Sequence, residues 1–145
     1  MTQPAADLSP TAHEAIADAL KQCVAETAVT TMLAQNFHWN VTGMALGPLH
    51  DLFQKIYEDH FIAQGDLAER IKALEAHAES TLAGMLARSK VSEHDGHADD
   101  KAMIAAMRDA QVTVAATLAS AGALAAEHGD TLTEDLCIAR GQTHE

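Results

Sequence analysis

Basic side chains are scarce in this sequence. Nine Lys plus Arg stand against 21 Asp plus Glu, a formal net charge of −12 over 145 residues. A large phosphate-binding surface draws its affinity from Lys and Arg that release counterions, so this balance argues against one and suits a protein that attracts cations. Aromatics are also few, at 3%, with one Trp, one Tyr and three Phe. A core poor in rings must close with small and aliphatic side chains; with 48% apolar residues and abundant alanine, that favours closely packed helices. No apolar run reaches the roughly 18–20 residues that a membrane-spanning helix needs. The opening MTQPAADLSP has no basic region followed by an apolar core, so it does not read as a secretory signal. The two cysteines, Cys23 and Cys137, match no metal-binding spacing and read as free thiols in a reducing, cytoplasmic compartment. A chain of this length makes one domain with a real core.

What is present concentrates between Asn36 and Leu74. His38 closes one helical stretch, Gly43, Gly47 and Pro48 form a connection, His50 opens the next stretch, and Glu69 lies further along it. His50 and Glu69 are 19 residues apart, which on one helix is roughly 28 Å at 1.5 Å per residue. No single metal ion touches both within one copy. Either the two residues are unrelated, or two copies pack antiparallel and each site takes its histidines from one chain and its acid from the other.

In chain order, residues 1–8 read as a loose tail. Ser9 is a candidate N-cap with Pro10 at the first helical position. Ile16, Leu20, Cys23, Thr27, Thr30, Ala34 and Phe37 recur at three- and four-residue steps and predict a helix ending near Trp39. From Pro48, the residues Leu49, Leu52, Phe53, Ile56, His60, Ala63, Leu67, Ile71 and Leu74 give a second stripe. The pattern then breaks until Asp99, with a short helix predicted over Thr81–Arg88 inside the break. Asp99 or Asp100 caps a third long helix that stops at His128–Gly129. Thr131 with Glu134 reads as a capping box opening a fourth, running to the end of the chain. Four helices with one long crossover make an all-α, ferritin-like four-helix bundle over residues 9–145.

The block Asn36–Gly43, then Leu49-His50, then Leu67-Ala68-Glu69-Arg70, resembles the Dps family, the mini-ferritins named for DNA-binding proteins from starved cells. The resemblance implies a hollow dodecamer of four-helix subunits in which Fe²⁺ is oxidised by hydrogen peroxide, or more slowly by O₂, at sites on two-fold interfaces. It implies that His38 and His50 come from one subunit and Glu69 from its neighbour, the antiparallel arrangement that the distance allows. It also implies that ferric iron is stored in the cavity, and that removing iron and peroxide together protects against oxidative damage. Histidine with carboxylate also binds Zn²⁺, so the ligands alone do not choose the metal.

Two positions depart from the family pattern. A carboxylate expected early on the second helix is Gln54, and one expected four residues before Glu69 is Gly65. Asp66, adjacent to Gly65, either leans into the site as a substitute ligand or forms a surface pair with Arg70. These departures leave room for a shell with an impaired site. The family's last helix usually runs a dozen or so residues further, and the fourth helix reads as short. Family members that bind DNA often use Lys-rich tails; the first 20 residues here contain no Lys or Arg, so DNA binding is the weaker reading. Of the remaining candidates, Trp39 reads as packing, His94-x-x-His97 as a solvated loop, and His60 and His77 as surface or interface residues. Asp130, Glu134 and Asp135 complement a helix N-terminus, and the resemblance adds that they line pores through which Fe²⁺ enters.

Overall fold

The computed structural model describes residues 7–145, and among these there are five α-helices and no strand. They are α1 (Pro10–Asn40), α2 (Leu46–Ala73), α3 (Leu82–Arg88), α4 (Asp100–Glu127) and α5 (Thr131–His144). The four long helices form the expected bundle, and α3 lies in the crossover between α2 and α4, packed against α1. Of the expected tail, residues 1–6 lie outside the described residues. Leu8 is buried against the core.

Most helix ends follow from local chemistry. Ser9 accepts from the Ala12 amide at 3.1 Å, with Pro10 in the first turn, where its missing N–H costs nothing. Thr81 and Asp99 cap α3 and α4 in the same way, accepting from Gly84 and Ala102. Two ends differ from expectation. Helix α2 starts at Leu46, so Pro48 falls inside its first turn and His50 in the second; an amide is not needed at either proline site. At α5 the cap is Asp130 rather than Thr131. The predicted Thr131–Glu134 box shifts by one residue because a carboxylate is already in place to accept from the Thr133 amide, at 3.1 Å.

Helix α1 is the centre of the bundle. Every residue from Cys23 to Thr31 is buried, so the predicted stripe widens to the full circumference where α2, α3 and α4 meet around it. Its threonines survive there because Thr27, Thr30 and Thr31 each donate to the carbonyl four residues back, at 2.7–2.8 Å. Glu26 is fully buried too. Its carboxyl oxygens accept from Gln22, from the Lys90 amide in the crossover and from the Thr117 hydroxyl on α4, so this buried polar group is satisfied by hydrogen bonds. Cys23 and Cys137 are both free and buried; burial pushes the Cys23 thiol up and the Cys137 thiol up to about 11, so both are inert thiols at neutral pH.

Candidate metal centre

The α1–α2 turn brings His38 and His50 together. Val41 ends α1 by donating to Phe37 at 2.9 Å, Gly43 turns the chain at φ 95°, and α2 returns alongside. Beneath the turn, Phe37 and Phe53 pack with ring centroids 5.6 Å apart and fix the two helix ends against each other. The imidazoles of His38 and His50 stack at 3.7 Å, and Tyr57 sets its ring against His38 at 5.4 Å.

The hydrogen bonds fix which nitrogen is available. Nδ1 of His38 lies 2.7 Å from the carbonyl of His50, and Nδ1 of His50 lies 2.9 Å from the carbonyl of His38. A carbonyl only accepts, so each Nδ1 carries the proton and donates. In the neutral ring that leaves each Nε2 unprotonated, with its lone pair free, and neither Nε2 has a hydrogen-bond partner among the described residues. This is the state a histidine needs to be in to ligate a metal, with its other nitrogen tied to a carbonyl.

The acidic side of the expected site lies elsewhere. Glu69 and Asp66 are exposed on α2. Among the described residues no group of three His, Cys, Asp or Glu side chains within one chain is placed to hold a metal ion. At the first departure, Gln54 donates to Glu58 at 2.8 Å. At the second, a Cβ built on Gly65 meets nothing within 4 Å, so the position is open.

Several expectations are corrected here. The Asp66–Arg70 surface pair does not form: Arg70 turns the other way, donating to fully buried Asp130 at 2.7 Å and to Thr133 at 2.8 Å. Asp66 is left with no ion-pair partner among the described residues. Asp130 is correspondingly spent on Arg70 and on capping α5, so it does not line an opening; Asp135 is exposed and Glu134 half-buried. Trp39 does not pack into the core but is 70% exposed. His94 is half-buried rather than solvated, with its ring edge-on to Phe37 at 5.3 Å and its carbonyl held by Asn36 at 2.7 Å, while His97 is exposed. His77 is exposed as expected, but His60 is buried, at 3% exposure. Its spacing in the second apolar stripe was the signal for that. It belongs to a polar cluster with Asp59, Gln111, Arg140 and His144 that the sequence did not announce.

Comparison with known proteins sets this geometry in context. The family model of the ferritin-like domain matches residues 17–144. General stress protein 20U of Bacillus subtilis (strain 168) is 30% identical over 91% of each chain. The DNA protection during starvation protein of Brevibacillus brevis is 28% identical over 86% of this chain and 83% of its own. A crystal structure of the Dps protein from Vibrio cholerae O1, described as a member of a broad superfamily of ferritin-like diiron-carboxylate proteins, superposes with a TM-score of 0.92 at 27% identity, covering 99% of this chain and 91% of that one.

Proposed function

The chain belongs to the Dps family of ferritin-like proteins, and from that premise we propose that it oxidises Fe²⁺ and stores ferric iron, with its oxidation sites shared between pairs of subunits. The observation that carries this reading is the stacked His38–His50 pair, half-buried and exposed respectively, with both Nδ1 atoms committed to carbonyls and both Nε2 lone pairs free of partners among the described residues. Glu69 of an antiparallel neighbour would complete the site, with Asp66 as the nearest further carboxylate. Such a pairing is isologous, so one two-fold contact makes two identical sites. The same logic supports a homo-oligomer, and the family supports a dodecameric shell as its form.

The chemistry asked of the residues is modest. The imidazoles bind Fe²⁺ as neutral donors, and each carboxylate offsets charge as the ion becomes Fe³⁺. One hydrogen peroxide takes one electron from each of two Fe²⁺ ions, its O–O bond breaks, and hydrolysis of the ferric product as oxyhydroxide releases protons to solvent. With Gln54 and Gly65 in place of two carboxylates, the site is short of negative charge, so iron is held more loosely and oxidised more slowly than with both present. Zn²⁺ is a competitor for the same donors. The acid-rich balance of −12 per chain gives no support to direct DNA binding.

Complementation tests the shared site. His50→Ala and Glu69→Ala chains are each expected to be inactive in peroxide-dependent iron oxidation, followed by stopped-flow absorbance of ferric product. Unfolded together and reassembled in equal amounts, they are expected to recover about a quarter of the wild-type sites, because half of the pairs are hybrid and each hybrid has one site with all its native ligands. No recovery in co-assembled particles, or an active Glu69→Ala chain, would sink the proposal.

A further inference from the structure

Helix α5 packs mainly on α4, and two polar clusters tie it to α2. At its start, Arg70 holds Asp130 and Thr133. At its far end, Asp59 and His60 of α2 meet Arg140 and His144 of α5 around Gln111 of α4. His60 and His144 are buried, at 3% and 5% exposure, and their rings meet at 4.6 Å in a T-shaped contact. We propose that this second cluster is an acid-sensitive latch: the far end of α5 stays docked while both imidazoles are neutral and is released when they take up protons.

The hydrogen bonds themselves specify the neutral state. Nε2 of His144 lies 3.1 Å from Nη2 of Arg140. A guanidinium only donates, so this Nε2 is an acceptor and carries no proton. The proton of His144 is on Nδ1, which donates to Oε1 of Gln111 at 2.6 Å. With that oxygen engaged by His144, Nε2 of Gln111 donates to Nε2 of His60 at 3.0 Å, and Oε1 of Gln111 lies 3.2 Å from the same nitrogen. His60 then keeps its proton on Nδ1, directed at Oδ2 of Asp59, 2.8 Å away. Each ring thus has one basic nitrogen that already accepts, and the donor to His144, a guanidinium, cannot turn into an acceptor in place. A proton added to His144 sets N–H against N–H and positive charge against the guanidinium. One added to His60 displaces the amide N–H of Gln111 and competes with His144 for Oε1 of the same side chain, 3.2 Å from Nε2 of His60.

Among the described residues no other carboxylate relieves the clash. The charged and titratable groups facing the rings are Asp59 from α2, Arg140 from α5 and the two imidazoles themselves; α4 contributes neutral Gln111, whose amide also contacts Met107. Asp59 is already engaged by both nitrogens of the Arg140 fork, at 3.2 and 2.9 Å. Burial raises its carboxyl, but the hydrogen bonds from Arg140 and His60 outweigh this and hold it below the usual carboxylate range, so it stays charged. Burial, followed by the His60 and Arg140 charges, pulls His144 down to about 3, and burial also lowers His60 despite Asp59.

The direction with pH follows from linkage. Both histidines are lowered in the docked state, so the released state binds more protons below about 6.5, the ordinary histidine value. Docking is complete above that value and weakens as pH falls toward the docked-state values. Each proton taken up only on release shifts the equilibrium about tenfold per pH unit. The latch does not depend on metal.

Hydrogen exchange of the assembled protein, read by mass spectrometry and corrected for intrinsic rates, tests it. In the wild type, opening of residues 137–144 is expected to rise at least about tenfold between pH 6 and pH 5, while the middle of α1 stays flat. In His60→Gln/His144→Gln, where the side chains keep hydrogen-bonding capacity but cannot titrate, the rise is expected to fall below about twofold. His144→Gln alone, a milder change, is expected to retain an intermediate slope. A wild-type α5 end that stays flat from pH 7 to pH 5, or a wild-type slope that survives undiminished in His144→Gln or in the double variant, would overturn the latch, and the wild-type profile decides even if the double variant fails to fold.

Discussion

His38 and His50 stack in the open beside the α1–α2 turn, whereas His60 and His144 meet under cover between α2, α4 and α5. In both pairs the proton sits on Nδ1. The difference is the neighbour of Nε2. In the first pair both Nδ1 atoms donate to main-chain carbonyls and both Nε2 atoms face no donor among the described residues. In the buried pair Gln111 and Arg140 donate to them. Identical side chains in the same tautomer are thus available for a cation in one place and closed to it in the other. Availability of a lone pair, more than the residue type, separates a ligand from a structural histidine.

The most severe way to break this comparison is to remove one ring from each pair. His50→Ala is expected to lower the rate of peroxide-dependent ferric iron formation by more than about 100-fold, since changes in the outer shell of a metal site alone reach that size. It should move the urea midpoint little, because surface substitutions stay within about 0.5 kcal/mol. His144→Ala should do the reverse. Its loss leaves a guanidinium N–H of Arg140 without its acceptor and Oε1 of Gln111 without its donor, at a cost of about 1–3 kcal/mol, read as a lower urea midpoint at fixed protein concentration, with the oxidation rate per assembled particle kept. Equal effects of both substitutions on both measurements would erase the distinction.

Sharpening the exposed pair gives smaller effects. Gly65 has open space around it, so Gly65→Ala is expected to stabilise α2 by up to about 1 kcal/mol and leave oxidation unchanged. Gly65→Asp should give less helix stabilisation but speed oxidation severalfold, by restoring a carboxylate to the site. Asp66→Ala separates two cases. A loss approaching that of Glu69→Ala means Asp66 serves as a ligand; no loss means the site works with one acid. The smallest expected effect is none at all: duplex DNA at physiological salt and neutral pH should show no gel retardation, and a shift that disappears with rising salt would reveal a phosphate-binding surface.

Much of this was readable from spacing. The predicted helices are all present, with Ser9 and Asp99 as predicted caps and Gly129 at the predicted stop, because these residues act on amides and carbonyls within a few residues of themselves. The meeting of His38 and His50 follows from a short turn between two periodic stripes. That one ion cannot touch both His50 and Glu69 within one copy follows from helix rise alone. Arg70 was misread because a residue four positions away is the only partner a linear sequence offers on a helix surface. Its actual partner is 60 residues on.

The sequence by itself determined the helices, their order and the separation of the histidines from Glu69, since each depends on local backbone geometry and a fixed rise per residue. Tertiary structure alone decided which polar residues are spent and which are free. Asp130 is consumed by Arg70, Glu26 by the crossover, and Asp59 by an arginine 81 residues away. Those choices depend on the faces that α2, α4 and α5 present to one another. A buried charge or imidazole must take whatever partner the packed helices bring within hydrogen-bond reach, because leaving it unpaired costs more than the sequence-local alternatives offer.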